Sequence, residues 1–176
     1  MIQLSRRQAL KQFAFVSAGL ALVPSCMQDR SKATLLLKKI KVLPADEAML
    51  ADLCETIIPK TETPGAKDLS AHLFLLMMVD DCNSKEQQEA FLKGMSAFNE
   101  FNIKTIGKSF MDANQKERIK VLEAIELIKE KDSLIAEFLK DVKRRTIQAY
   151  TSSEFFLTKV QVYELIPGRY HGCILA

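Results

Sequence analysis

The chain has 176 residues, of which 48% are hydrophobic, and this length and composition are typical of one globular domain. Only four cysteines and six glycines are present, which argues against a disulfide-stapled scaffold and against a glycine-looped nucleotide fold. The formal charge of +3 comes from Arg6, Arg7 and Lys11, because residues 26–176 carry no net charge. That neutral part lacks the basic surface of a nucleic-acid-binding protein.

The first 25 residues have the pattern of an export signal. A basic start containing Arg6 and Arg7 precedes an uncharged apolar run over residues 13–23. This run is far shorter than the roughly 20 residues that cross a bilayer. The adjacent arginines resemble a twin-arginine signal, which exports proteins that have already folded. An ordinary secretory signal is the alternative, and in both cases we expect a periplasmic protein.

Cys26 is a candidate lipidation site. Val23-Pro24-Ser25-Cys26 resembles a lipobox, in which a lipid is attached to the cysteine and holds the protein on a membrane. The other outcome is cleavage nearby without lipidation. Residues 26–43 are polar and basic around one short apolar run, and we interpret them as a linker.

Apolar residues recur at helical spacing from residue 44 onwards. Pro44 opens a first helix, since proline is tolerated in a first turn, and Pro59 ends it. A loop over residues 60–65 leads into a second helix over residues 66–81, whose middle is apolar on every side. Such a helix lies either at the centre of a bundle or under a partner protein.

Further capping signals divide the rest of the chain. A third helix begins at the capping-box sequence of Ser84 and ends at Gly107, and Asp112 is the predicted N-cap of a fourth. The predicted core positions of the fourth helix are Ile119, Leu122, Ile125 and Ile128. A fifth helix covers residues 134–145, and a short one follows over 151–160. The prediction is an all-α bundle of about five helices with an irregular C-terminal tail.

Export to an oxidising compartment would allow disulfides. Cys54 lies beside the apolar face of its helix and is expected to be buried, whereas Cys82 follows a helix and Cys173 lies in the tail. We therefore predict a Cys82–Cys173 disulfide that ties the tail to the bundle. A bridge to a partner subunit is the alternative.

Catalytic motifs were not found in the sequence. It contains no phosphate-binding glycine loop, no haem-attachment motif and no closely spaced cysteine pair. Asp68 and His72 are four residues apart and would share a helix face, followed by Asp80 and Asp81; a local hydrogen bond is a simpler role for them than a metal or acid–base site. We predict no catalytic, cofactor-binding or metal-binding residue in this chain.

The sequence IIPKTETPGA, over residues 57–66, resembles the signature of the gluconate 2-dehydrogenase subunit 3 family. In that family a helix ends in Ile-Ile-Pro, and Thr-x-Thr-Pro-Gly-Ala leads into the next helix. The stretch at 151–154 and the tail sequence at 167–172 support the resemblance, which covers most of residues 44–176. The residues that carry the motif are Pro59, Thr61, Thr63, Pro64, Gly65, Ala66, Pro167, Gly168 and Tyr170.

The resemblance implies a small subunit of a membrane-associated dehydrogenase that oxidises gluconate, sugars or polyols. In such complexes the large subunit is an FAD-dependent flavoprotein of the glucose–methanol–choline type, and a c-type cytochrome with haem c accepts the electrons. The small subunit supplies the export signal and stabilises the flavoprotein without catalysing the reaction. Its motif residues would either contact the large subunit or shape an interhelical turn. The alternative function is a stand-alone exported lipoprotein that acts as a binding or structural module.

Overall fold

Helices account for the regular secondary structure of the computed structural model, which describes residues 35–128 and 133–161. Within these ranges there is no β-strand, so the all-α prediction is confirmed. The helices are α1 (Pro44–Ile57), α2 (Ala71–Cys82), α3 (Lys85–Ile106), α4 (Gln115–Glu126) and α5 (Leu134–Thr151), followed by one π-helical turn (Phe156–Val160). The predicted signal segment, Cys26 and the tail beyond residue 161 lie outside the described residues.

Helix α5 contacts all four of the other helices and is the centre of the bundle. Its buried residues recur every three or four positions, which gives one continuous stripe; they are Ile135, Phe138, Leu139, Val142, Arg145, Thr146 and Ala149. The predicted end at residues 143–145 is wrong, because the stripe continues past the basic residues. Arg145 does not mark a helix end but lies buried inside α5.

An aromatic cluster fills the space between α3 and α5. The ring of Phe138 lies 5.1 Å from that of Phe91 and 5.7 Å from that of Phe98, which in turn contacts Phe110 at 5.2 Å. Gly94 permits this approach, because a Cβ at that position would lie 2.6 Å from the Cβ of Phe138. Aromatic pairs at such distances add to the stabilisation that burial gives.

Helix α2 begins five residues later than its apolar pattern predicts. Residues 66–69 form a single turn that a Schellman motif closes: Ala71 N–H donates to Ala66 O, and Ser70 N–H donates to Lys67 O. Ser70 adopts the left-handed conformation, with φ of 54°, and this interrupts the helix. The helix restarts at Ala71, so Asp68 lies in the connecting segment rather than on α2.

The start of α4 also differs from the prediction. Asn114, not Asp112, is the N-cap, and it forms a complete capping box with Glu117. Asp112 lies in the turn before it, where its N–H donates to Ser109 O. Of the predicted core residues, Leu122 and Ile125 are buried and Ile128 packs against the core. Ile119 is 42% exposed, and Val121 takes the buried position.

The described part of the predicted linker, residues 35–43, contacts the bundle. The buried carboxylate of Asp80 accepts hydrogen bonds from the backbone N–H groups of Lys38, Lys39 and Ile40 at 2.7–2.9 Å. Burial opposes the charged carboxylate, but these three donors outweigh it and hold the pKa of Asp80 below its usual range. Asp80 therefore fixes the N-terminal segment to α2, where Ile40 joins the core.

Candidate interaction site

The connection between α1 and α2, residues 58–70, contains six of the nine motif residues and is called the motif loop here. Pro59, Thr61 and Thr63 are exposed, whereas Gly65 and Ala66 are buried and Pro64 is half-buried. The motif therefore has two parts. Its first half faces solvent, and its second half packs against the bundle.

Glu55, in the last turn of α1, holds the two halves of the motif loop together. Its Oε1 accepts the backbone N–H of Lys60 at 2.8 Å, and its Oε2 accepts that of Lys67 at 3.0 Å. A Cβ at position 65 would lie 2.4 Å from Glu55 Oε2 and 2.7 Å from Lys60 N, so this close approach requires glycine. Ala66 N–H donates to Ile58 O at 2.9 Å and closes the base of the loop.

The exposed tip has hydrogen bonds of its own. Thr61 N–H donates to Thr63 O at 3.0 Å, and the two hydroxyl groups lie 3.4 Å apart. From α5, the hydroxyl of Tyr150 donates to Pro64 O at 3.2 Å. The rings of Phe155 and Phe156 pack edge-on against Tyr150. Phe155 and Phe156, which directly follow the stretch at 151–154, therefore support the motif loop through Tyr150.

One ion pair lies within the motif loop, and others connect the loop to the rest of the bundle. Lys60 Nζ lies 3.0 Å from Asp68 Oδ2, which also accepts the N–H of Gly65; together these lower the pKa of Asp68. Asp52 binds Lys67 at 2.6 Å and Arg118 at 2.8 Å. Because Arg118 also donates to backbone carbonyls of the α3–α4 connection, Asp52 joins that connection to the motif loop.

His72, in the first turn of α2, does not contact Asp68 in the way their spacing predicts. Its Nδ1 is buried without a hydrogen-bond partner in the part of the chain that the structure describes. Burial lowers the pKa of His72; Lys67 acts in the same direction, and the carboxylates of Glu47 and Asp52 oppose it. Among the described residues, no three His, Cys, Asp or Glu side chains are grouped so as to hold a metal ion.

The two described cysteines differ in their chemistry. Cys54 is fully buried and accepts a hydrogen bond from Thr146, and burial raises the pKa of its thiol to about 11. Cys82 is exposed at the end of α2, and residues 35–128 and 133–161 contain no disulfide. Because Cys173 lies outside the described residues, the Cys82–Cys173 pairing stays a prediction. The same holds for the tail motif residues Pro167, Gly168 and Tyr170.

Sequence reasoning missed the residues that support the motif loop from within the bundle. Glu55, Asp52 and Tyr150 are single polar residues on helices, and only their three-dimensional neighbours give them a role. A weak signal existed for Glu55, since a carboxylate near the end of a helix that is followed by a tight loop can accept backbone N–H groups. The arrangement as a whole can present a fixed, exposed loop to another molecule.

Comparison with models of protein families gives a match to the family described as gluconate 2-dehydrogenase subunit 3, over residues 44–168. The matched part contains all five helices and the complete motif loop. No curated protein and no solved structure matches the chain. Of the helices in the described part of the chain, none is both long and apolar enough to span a membrane.

Proposed function

Because the chain belongs to the gluconate 2-dehydrogenase subunit 3 family, we propose that it is the non-catalytic small subunit of an FAD-dependent sugar, polyol or gluconate dehydrogenase. Family membership implies a place in a multi-subunit, membrane-associated dehydrogenase complex. In our proposal the large subunit is a flavoprotein of the glucose–methanol–choline type and holds the FAD. A c-type cytochrome with haem c accepts the electrons.

The observation that carries the proposal is the construction of the motif loop. Three of its residues, Pro59, Thr61 and Thr63, point to solvent and are not needed to fill the core. The backbone beneath them is nevertheless fixed by Glu55 and Tyr150. A surface loop that is ordered before binding loses little conformational entropy when a partner docks, so this construction suits a recognition surface.

Binding to the motif loop would stabilise the large subunit by mass action. A partner that binds only the folded flavoprotein raises the free energy of unfolding of the flavoprotein. The increase is about 2.7 kcal/mol when the concentration of the partner is a hundredfold above Kd. A twin-arginine signal, which exports folded proteins, would let this chain carry the flavin-loaded partner across the membrane. A lipid on Cys26 or the partners themselves would keep the complex at the membrane.

Affinity capture tests the proposal. The full chain with a C-terminal tag is produced in its native host, solubilised gently and captured, and the eluate is analysed by flavin absorbance and mass spectrometry. We expect a flavoprotein to co-purify. Thr63→Arg at the exposed tip should reduce its recovery at least tenfold, because a bulky cation on the proposed contact surface would hold the partner away, and a tenfold loss corresponds to about 1.4 kcal/mol.

Thr158→Arg is the matched control, since Thr158 is also an exposed threonine but lies in the π-helical turn. It should recover as much flavoprotein as the wild type. Recovery of the wild-type chain alone, folded and without a flavoprotein, would contradict the proposal and favour the stand-alone lipoprotein.

A further inference from the structure

A groove of about 520 Å³ lies between the end of α2, the first turns of α3 and helix α5 from Leu134 to Arg145. Its apolar floor consists of Met78, Phe91, Leu134 and Phe138. Phe91 and Phe138 pack against each other in the core, so they cannot move aside to fill the space. Leu134, in contrast, is 51% exposed. The groove is therefore a preformed apolar site, of a size that holds a few side chains.

The charged side chains that line the groove balance one another. Two of them are carboxylates, Glu137 and Asp141, and two are guanidinium groups, Arg144 and Arg145. Asp141 accepts hydrogen bonds from both arginines. Because the lining has no excess charge of either sign, it favours an uncharged occupant over an acidic or a basic one.

Cys82 places a thiol in the wall of this groove. It is the exposed cysteine of the two described, whereas Cys54 is buried and the pKa of its thiol is raised to about 11. The next residue, Asn83, accepts a hydrogen bond at 2.8 Å from Arg145, whose side chain is only 6% exposed. This contact fixes the end of α2 against α5. The thiol therefore lies at a defined position, at the Arg145 end of the groove.

The two ends of the groove differ, and this gives the groove a direction. The thiol end lies beside Arg145, and the apolar end lies at Phe138 and Leu134, where α5 begins. Since the chain leaves α5 at Thr151, a segment that turns back along the helix meets Cys82 first and the apolar floor afterwards. A segment of this chain that fits the groove must therefore carry a cysteine followed by apolar residues.

Residues 172–176 of the tail meet these requirements. They carry no charged side chain, and Cys173 is followed directly by Ile174 and Leu175. Cys173 is 12 residues beyond residue 161, where the described part of the chain ends, and an extended chain of that length spans up to about 40 Å. The 18 residues of α5 measure only about 27 Å. The tail is therefore long enough to return along the whole helix.

We propose that this groove receives the chain's own C-terminal tail, with Cys173 bonded to Cys82 and the side chains of Ile174 and Leu175 on the apolar floor. The proposal extends the predicted disulfide, because it gives the tail a docking site as well as a bond. It does not depend on the proposed function, since every group involved belongs to this chain. The tail motif at 167–170 would then be held between two fixed points, residue 161 and Cys82.

The bond would form by thiol–disulfide exchange. The thiolate of one cysteine attacks a donor disulfide and forms a mixed disulfide, which the thiolate of the other cysteine then resolves. In total the two thiols lose two protons and two electrons, and the donor disulfide gains them and leaves as two thiols. A tail seated in the groove would hold Cys173 next to Cys82 and so raise the effective concentration of the second thiol.

Equilibration with glutathione tests the proposal, with oxidised glutathione as the donor disulfide. The full chain is purified in reduced form with Cys26→Ser, which removes the fourth cysteine. It is equilibrated in buffers of reduced and oxidised glutathione, quenched with acid and mapped by mass spectrometry. We expect an intramolecular Cys82–Cys173 bond and an unmodified Cys54. The melting temperature of the oxidised chain should exceed that of the reduced chain by about 5–10 °C.

A double substitution in the tail tests whether the apolar side chains contribute. Ile174→Ser combined with Leu175→Ser should lower the equilibrium constant for bond formation at least tenfold, because the tail would no longer be held in the groove. The matched control is Leu165→Ser combined with Ile166→Ser, another adjacent apolar pair of the tail. It should stay within about twofold of the parent chain.

A substitution in the groove tests the same contact from the other side. Ala90→Trp fills the groove from an exposed position of α3, so it should also lower the equilibrium constant at least tenfold. Ser96→Trp is its control, since this residue is exposed on α3 outside the groove. It should have no effect on bond formation.

Bond formation that neither the tail variant nor Ala90→Trp weakens would overturn the proposal, because the tail would then be joined to Cys82 without occupying the groove. A Cys82 that bridges two copies of the chain, or that forms only a mixed disulfide with glutathione, would also overturn it. None of these outcomes affects the proposed function, which the capture of a flavoprotein tests separately.

Discussion

Gly65 and Glu55 form the closest packing in the motif loop, because a Cβ at position 65 would lie only 2.4 Å from the Glu55 carboxylate. In Gly65→Ala the new Cβ would displace Glu55, and the N–H groups of Lys60 and Lys67 would lose their acceptor. We expect a loss of about 1–3 kcal/mol in the free energy of unfolding, measured by denaturant titration. In a Glu55→Ala background the same substitution should cost less, since the displaced carboxylate is already gone and only the close approach to the backbone N of Lys60 remains. Equal costs in the two backgrounds would contradict this explanation.

His72 is expected to make the folded protein less stable as the pH falls. Burial holds the pKa of His72 below its unfolded value of about 6.5, so the unfolded chain binds a proton more readily. Stability is therefore complete above about pH 6.5 and falls as the pH drops towards the lower pKa of the folded state. Urea unfolding between pH 7.5 and 5.5 should show this decrease in the free energy of unfolding. Its slope should be less than the ~1.4 kcal/mol per pH unit expected when the unfolded state binds one whole proton more than the folded state.

His72→Gln is the comparison for this effect, because glutamine retains a polar side chain but does not titrate. We expect the stability of this variant to depend less on pH than that of the wild type over the same interval. Identical pH profiles for the two proteins would show that other groups, not His72, cause the acid sensitivity.

At the scale of elements, the contact between α3 and α5 depends on Gly94. Ala would gain about 1 kcal/mol of helix propensity at this position, but its Cβ would lie 2.6 Å from the Cβ of Phe138, an atom close to the backbone that cannot move aside. Forcing the helices apart typically costs about 1–3 kcal/mol, which offsets or exceeds the propensity gain, so we expect Gly94→Ala to be net destabilising by up to about 2 kcal/mol. Ser96→Ala, on the exposed face of the same helix, should be neutral or slightly stabilising; thermal unfolding distinguishes the two.

Local signals predicted those helix ends that local chemistry determines. Pro44 opens α1, Ser84 and Gln87 form a complete capping box, and Gly107 ends α3 in the left-handed conformation, as the sequence indicates. The errors lie where longer-range packing decides. The single turn before Ser70 directly precedes an apolar run, so the sequence predicts it as part of the helix. Residues 143–145 are basic, so the sequence predicts a helix end there. Burial of Arg145 in its contacts with Asp141 and Asn83 could not be inferred from composition.

The sequence predicted where the candidate site lies, but not which contacts hold the site in place. The residues from Pro59 to Ala66 stand out in the sequence, and the structure places them in one loop. The sequence does not separate the exposed half from the buried half, because that division depends on Glu55 and Tyr150, which are 95 residues apart.

At the scale of the whole molecule, the sequence predicts an export signal ahead of a helical bundle that presents the fixed, exposed motif loop. Residues 38–40 are fixed to α2 through hydrogen bonds to Asp80. The twin-arginine interpretation predicts that Arg6→Lys combined with Arg7→Lys abolishes export, because that pathway requires the arginine pair itself rather than positive charge. Cell fractionation and immunoblotting should find the variant in the cytoplasm.

Arg30→Lys is the control for this experiment, since it makes the same exchange downstream of the signal. It should be exported normally. Normal export of the double variant would contradict the twin-arginine interpretation and support an ordinary secretory signal, for which two lysines suffice.

The central claim is that this chain binds a flavoprotein and contains no catalyst itself. The most direct test separates the captured complex into its two polypeptides and measures flavin absorbance and dehydrogenase activity in each, with gluconate, sugars and polyols as substrates. We predict that flavin and activity remain with the large subunit, and that adding this chain back raises the melting temperature of the large subunit. Flavin bound to this chain, or substrate oxidation by this chain alone, would contradict the account.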